Sequence, residues 1–156
     1  VNNQDVPPKT AIFAWMTLPY KRFADFSGRS SRREFWFYSL FLTLQYFLAM
    51  AITIGAIAAI DRTGNEASAG PGVLLVFLPV LAVFLANFVP GLALTWRRFQ
   101  DFGAPGWLAI ICVFAVFLLS LLAWIAYMVV MSLPPQQGEN AYGPPVYGEN
   151  LGDIFS

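Results

Sequence analysis

The chain has no histidine and a single cysteine. Without histidine it lacks the commonest general base, the commonest zinc ligand and the usual axial haem ligand. One cysteine excludes an intrachain disulfide and a cysteine-based metal site. Cys112 lies inside an apolar run, where a small core residue is expected rather than a nucleophile. Charge is also scarce: Asp, Glu, Lys and Arg make up 12% of 156 residues. None of them falls in Phe35–Ile60, Val73–Trp96 or Trp107–Met131. Each of these runs exceeds the roughly 20 residues that an α-helix needs to cross about 30 Å of hydrocarbon. Helices of a soluble domain must show water one polar face, and these runs have none. With 58% hydrophobic residues and a mean hydropathy of +0.61, the composition is that of a membrane protein. The first run lies too far in, and is too long, for a cleaved signal peptide.

The charges that remain are unevenly placed. Lys9, Lys21, Arg22, Arg29, Arg32 and Arg33 precede the first run, and Arg97 and Arg98 lie between the second and third. Arg62 is the one base of the first connecting loop, and the tail holds Glu139, Glu149 and Asp153 with no base. Lys and Arg of short loops stay on the cytoplasmic side. The expected location is the bacterial inner membrane, multi-pass, with the N-terminus and the Arg97–Asp101 loop cytoplasmic. Three crossings then put the C-terminus in the periplasm; one re-entrant or split run would reverse that.

The expected fold is all-α and polytopic: three transmembrane helices, an N-terminal interfacial amphipathic segment and an irregular polar tail. The boundaries are 1–30 for the cytoplasmic or interfacial segment, 31–131 for the membrane domain with spans at about 35–60, 73–96 and 107–131, and 132–156 for the tail. In the first segment Trp15, Tyr20, Phe23 and Phe26 interleave with Lys21 and Arg22, as in short helices lying in the headgroup layer. Ser27-Gly28 marks a turn, and Ser31-Arg-Arg-Glu34 fits a capping box that starts the first membrane helix. Ala51, Gly55 and Ala59 form a small-residue stripe that lets another helix approach closely. In the second run Pro90 frees a backbone carbonyl that needs a partner from a neighbouring helix, and Asn87 lies one turn away. Gly103 is the expected C-terminal cap of that helix, and Pro105 suits the first turn of the next. After Met131, repeated Pro and Gly exclude a long helix. The tail reads either as an extended polar segment or as an arm with tyrosine anchors, Tyr142 and Tyr147, lying along a partner.

Two segments carry a family resemblance. Phe26-Ser-Gly-Arg-Ser-Ser-Arg-Arg-Glu-Phe-Trp36 and Arg97-Arg-Phe-Gln-Asp-Phe-Gly-Ala-Pro-Gly-Trp107 resemble the two signatures of the DUF805 family of small bacterial inner-membrane proteins. Asn140-Ala-Tyr-Gly-Pro-Pro145 is similar to its C-terminal element. The family's histidine in the second signature is Gln100 here, which removes any proton-transfer role at that position. The resemblance implies a small helical membrane bundle and no particular activity.

Arg29, Arg32, Arg33, Glu34, Arg97, Arg98, Asp101 and Trp107 are expected to meet at the cytoplasmic membrane face. On a helix Asp101 is placed to pair with Arg97 or Arg98, and Glu34 to reach an arginine of the other segment. Three readings of this patch compete. It anchors helix ends by snorkelling; it docks a larger membrane protein through Arg and Trp; or it binds an anionic ligand or lipid headgroup. Ala51, Gly55, Ala59, Asn87 and Pro90 are expected to pack helices together. No catalytic residue, metal or cofactor is expected, nor nucleic acid as a partner. The partners implied are membrane lipids and other membrane proteins, in hetero- or homo-oligomers. The function expected is a non-catalytic accessory, assembly or regulatory subunit. The alternative is an oligomeric channel or transporter component that binds an anion at its arginine cluster.

Overall fold

The computed structural model describes residues 7, 8, 10–63 and 76–146. The first residues of the chain, Lys9, most of the Asp61–Gly72 loop with Glu66, the start of the second apolar run at Val73, and the tail from Tyr147 lie outside the described residues. Among the described residues four helices carry the fold: α1 (Ile12–Lys21), α2 (Arg32–Thr63), α3 (Leu78–Asp101) and α4 (Leu108–Met131). Two of them, α2 over Arg32–Ile60 and α3, are long and apolar enough to cross a membrane.

α2 starts where the sequence places it. The Ser31 hydroxyl accepts the Glu34 backbone N–H at 3.1 Å, which caps the first turn. Pro79 occupies the first turn of α3, where its missing N–H costs nothing. The same helix ends in a Schellman cap. Gly103 is left-handed (φ 79°), its N–H bonds Gln100 O at 3.1 Å, and the Ala104 N–H reaches back to Phe99 O at 2.9 Å.

α2, α3 and α1 are pinned by a closed ring of polar side chains. Tyr20 Oη donates to Asn87 Oδ1, Asn87 Nδ2 to Gln45 Oε1 at 3.0 Å, and Gln45 Nε2 back to Tyr20 Oη at 2.8 Å. The Tyr38 hydroxyl bonds both the side chain and the backbone carbonyl of Asn87, beside Pro90. In apolar surroundings such a cycle leaves no donor stranded, and each bond polarises the next. α1 therefore does more than lie in the headgroup layer. Its Phe13 and Tyr20 stack edge-on against Phe41 of α2, and Trp15 and Leu18 are buried. It runs from Ile12 through Pro19 to Lys21.

α4 departs from the expectation. A straight helix of 24 residues is about 36 Å long. Yet Gly106, just before its first turn, lies so near Trp96 that an added Cβ would land on the indole nitrogen. At the far end, Met131 gives its carbonyl to Arg98 at 2.9 Å, and Tyr127 bonds Thr95 at 2.8 Å. Ala109 and Met131 share one buried cluster with Leu94 and Phe99. Both ends of α4 thus meet the last turns of α3, and the chain must turn back within the helix. The run Trp107–Met131 is a helical hairpin that enters and leaves by one end of the bundle, not a third crossing. The described tail follows it: Gln136 N bonds Asp101 O at 3.0 Å. The tail as far as Val146 consequently lies at the same end as Arg29 and Arg98, not on the opposite side.

Gly106 is the point where this hairpin docks on α3. Gly106→Ala should overpack the Trp96 ring, itself held edge-on against Phe26. A loss of about 1–3 kcal/mol is expected, read as a lower melting temperature in detergent.

Candidate functional site: a buried arginine clasp

Three segments meet at the charged end of the bundle: the loop before α2, the last turn of α3 and the tail after α4. Gly28 adopts a left-handed turn (φ 77°) that sends the following Arg29 inward. Arg29, Arg97 and Arg98 are at most 1% exposed, and Glu34 and Asp101 are 2% exposed. Charged groups out of water must be paired and hydrogen-bonded, and the structure meets that demand in two halves, leaving only Arg97 Nε and Arg98 Nε without a partner among the described residues.

The first half joins α3 to the α2 entry. Arg97 Nη2 donates to Glu34 Oε1 at 3.0 Å, and its Nη1 to Asp25 O at 3.0 Å. The other Glu34 oxygen accepts the Ser30 hydroxyl at 2.9 Å. The capping box is thus half formed: Ser31 plays its part, while Glu34 turns to Ser30 and Arg97 instead of its own helix end. Arg22 pairs with Asp25 at 3.0 Å at the rim.

The second half joins α3 to the tail. Asp101 Oδ1 accepts Arg29 Nε at 2.8 Å, and its other oxygen accepts Arg98 Nη1. Arg29 then spends every remaining N–H on carbonyls: Asp101 O at 3.1 Å, Gln136 O at 2.7 Å, Gly138 O at 2.8 Å and Gly143 O at 3.5 Å. Arg98 holds Ser30 O at 3.2 Å, Met131 O at 2.9 Å and Leu133 O at 2.8 Å, and its guanidinium lies over the Phe102 ring at 5.7 Å. Asn140 Nδ2 donates to Gln100 O at 2.9 Å and its Oδ1 accepts the Tyr142 N–H at 2.9 Å. The tail motif Asn140–Gly143 is therefore a compact turn folded onto its own chain. The Gln100 amide fits with its nitrogen toward Phe26 O (3.1 Å) and Gly28 O (2.7 Å) and its oxygen toward Trp96 Nε1 (3.0 Å). It ties α3 to the entry loop as a neutral donor and acceptor.

The eight residues expected to share one surface patch divide. Arg29, Glu34, Arg97, Arg98 and Asp101 come together, but inside the fold, with their hydrogen-bonding groups turned to their own chain. Phe99 is buried beside them. Arg32 and Trp107 are exposed and Arg33 is half-buried. Among the packing residues, Asn87 and Pro90 are buried at the helix crossing. Ala51, Gly55 and Ala59 face outward, and a Cβ on Gly55 would meet nothing within 4 Å. That stripe makes no close helix contact among the described residues. The sequence reading missed the tail carbonyls of Met131, Leu133, Gln136 and Gly138. Every residue has a carbonyl, so no side-chain signal marks them.

Asp25 gives this end a pH dependence. Burial pushes its carboxyl up, but hydrogen bonds from Ser27 and Arg22 and the Arg22 charge outweigh that and hold it at about 2 instead of 3.8. The folded value is depressed, so the stabilisation is whole above 3.8 and is lost as pH falls from there through about 2. Melting temperature of the detergent-solubilised chain should drop across that window, and Asp25→Asn should flatten the drop.

The sequence profile of the family described as Protein of unknown function (DUF805) matches residues 23–144. The chain is similar to Inner membrane protein YhaI of Escherichia coli strain K12, 29% identical over 139 residues that cover 87% of this chain and 98% of that protein. It is also similar to Inner membrane protein YhaH of the same strain, 25% identical over 131 residues, 83% of this chain and 93% of that protein. No solved structure matches it.

Proposed function

The chain belongs to the DUF805 family of proteins of unknown function, and on that premise we propose that it is a non-catalytic inner-membrane protein that serves as an accessory, assembly or regulatory subunit of a larger membrane complex. The names of YhaI and YhaH, together with two apolar helices of crossing length, support the inner membrane as its location. On this reading the positive-inside rule favours a cytoplasmic charged end, and the bonds from Arg29 to Gln136, Gly138 and Gly143 support the same side for the tail as far as Val146.

The observation that carries the reading is the division of the basic and aromatic residues at this end. The buried arginines serve the fold. Around them an outer rim stays open: Phe23 is 48% exposed, Trp36 47% and Trp107 52%, with Lys21 and Arg32 also exposed. Arg and Trp are the residues that anchor protein interfaces, and this rim sits where a neighbour at the membrane surface would meet it. A channel or transporter component has less support, because the guanidiniums that would bind an anion already hold carboxylates and carbonyls of their own chain.

The test is native mass analysis after mild detergent extraction, with the unchanged chain, Trp107→Ala and Arg32→Gln. The docking reading expects a defined heteromeric species with the unchanged chain and its loss with the variants, at an unaltered melting temperature. A lone chain across detergents counts against it.

A further inference from the structure

The described helices are shared unequally between the two halves of the bilayer. α2 and α3 pass through both. α1 packs on the first turns of α2, from Tyr38 to Gln45, and so belongs to the charged half. Both limbs of α4 belong there too, since each limb is about 18 Å long, little more than half of the hydrocarbon. The charged half therefore holds five helical sections and the far half two, among the described residues. Burial follows the same division. The core cluster of Phe35, Tyr38, Leu94, Phe99, Ala109 and Met131 lies at the charged end. In the far half Ile52, Ile54 and Ile57 of α2 are about half exposed, and Thr53 Oγ1 donates to Val76 O at 3.1 Å.

The hairpin also ends in lipid. Leu118, Leu119, Leu121 and Leu122, midway between the two docked ends of α4, are 80%, 66%, 67% and 77% exposed. No charge lies anywhere along α4, so acyl chains are the surroundings that suit this tip. A helix about 10 Å across occupies roughly 80 Å² in cross-section, and three extra sections make one leaflet's share larger by about 240 Å².

We propose that this chain is a tapered inclusion that senses membrane curvature: it favours bilayers bent so that the leaflet around its charged end is the expanded, convex one. Lipid chains fill the space beside the slim half. In a flat bilayer they must splay to do so, and in a bilayer of the favoured curvature they need not. The inference goes beyond the docking reading and does not depend on it, because it concerns the chain alone in lipid.

The experiment uses the full chain with Cys112→Ala and Glu139→Cys, reconstituted in giant vesicles of phosphatidylethanolamine and phosphatidylglycerol. A membrane-impermeant maleimide dye added outside marks only molecules whose charged end faces outward. A thin tube is then pulled from each vesicle, and dye per lipid is compared between tube and parent. Enrichment of about twofold or more in the tube is expected, as for other curvature-sensitive insertions. Uniform or depleted dye would overturn the proposal; a copy-to-copy pairing that filled the slim half would give that uniform result. Loss of heteromers in the docking test would leave tube enrichment unchanged, so the two readings fail separately.

Discussion

A cysteine at Ser27 and a cysteine at Glu139, each in a Cys112→Ala background, should be labelled by an impermeant maleimide from one and the same side of the membrane. A cysteine at Arg62 should be labelled from the other side alone. All three positions are exposed and polar, so labelling tests sidedness rather than access. The expected contrast is all-or-none, because a span either crosses the hydrocarbon or does not. The result follows from the clasp. Arg29, in the loop that carries Ser27, donates to the carbonyls of Gln136 and Gly138, on either side of Gln137 and next to Glu139. These bonds cannot be made across about 30 Å of hydrocarbon. Labelling of Glu139→Cys together with Arg62→Cys would make α4 a true third span, and the clasp, the hairpin and the taper would fall with it.

That hairpin marks the limit of what the residues disclose by themselves. Trp107–Met131 passes every test for a span, being long, apolar and uncharged. Hydropathy reports how a segment partitions between water and lipid, and a hairpin limb partitions as a span does. Neither glycine nor proline interrupts the run, so composition marks no turn. Gly106 is the nearest signal, and its meaning depends on the position of Trp96, a contact that only the folded chain reveals. The local features were legible because their physics is local. Ser31 caps α2, Gly103 closes α3 in a left-handed turn, and Asn87 and Pro90 are buried where the helices cross. Pairings between elements were legible in kind but not in depth. Glu34 does meet an arginine of the second signature, and Asp101 does meet Arg98 three residues before it. Their burial depends on the tail, whose contribution is made by backbone oxygens. A patch of arginines on paper becomes an interior when carbonyls of distant residues close over it.

Replacing Arg97 by Gln should cost about 3–5 kcal/mol of stability in bicelles, and replacing Glu34 by Gln a comparable amount. The pair is 0% and 2% exposed, so either change leaves a buried charge without its nearest partner, with Arg22 at 4.0 Å as the remaining counter-ion of Glu34 and Asp25 at 3.7 Å as that of Arg97. Stranding is dearer than the loss of the bond itself, because the remaining ion keeps its desolvation penalty and has lost the partner that offset it. The double variant Glu34→Gln/Arg97→Gln should therefore be more stable than the sum of the two losses predicts, by about 1–3 kcal/mol. A neutral Gln at position 34 can still accept the Ser30 hydroxyl, and a neutral Gln at position 97 asks for no counter-charge. Reversible unfolding of the four chains, followed by a trap that binds the opened state, gives the cycle directly. Arg97→Lys separates charge from geometry: an ammonium keeps the sign but cannot reach both Glu34 and the Asp25 carbonyl with a planar fork, so it should recover only part of the loss. Single costs below about 1 kcal/mol would mean that headgroup water reaches the pair and behaves there as at an open surface. The clasp would then be a rim feature rather than the interior that joins α2, α3 and the tail.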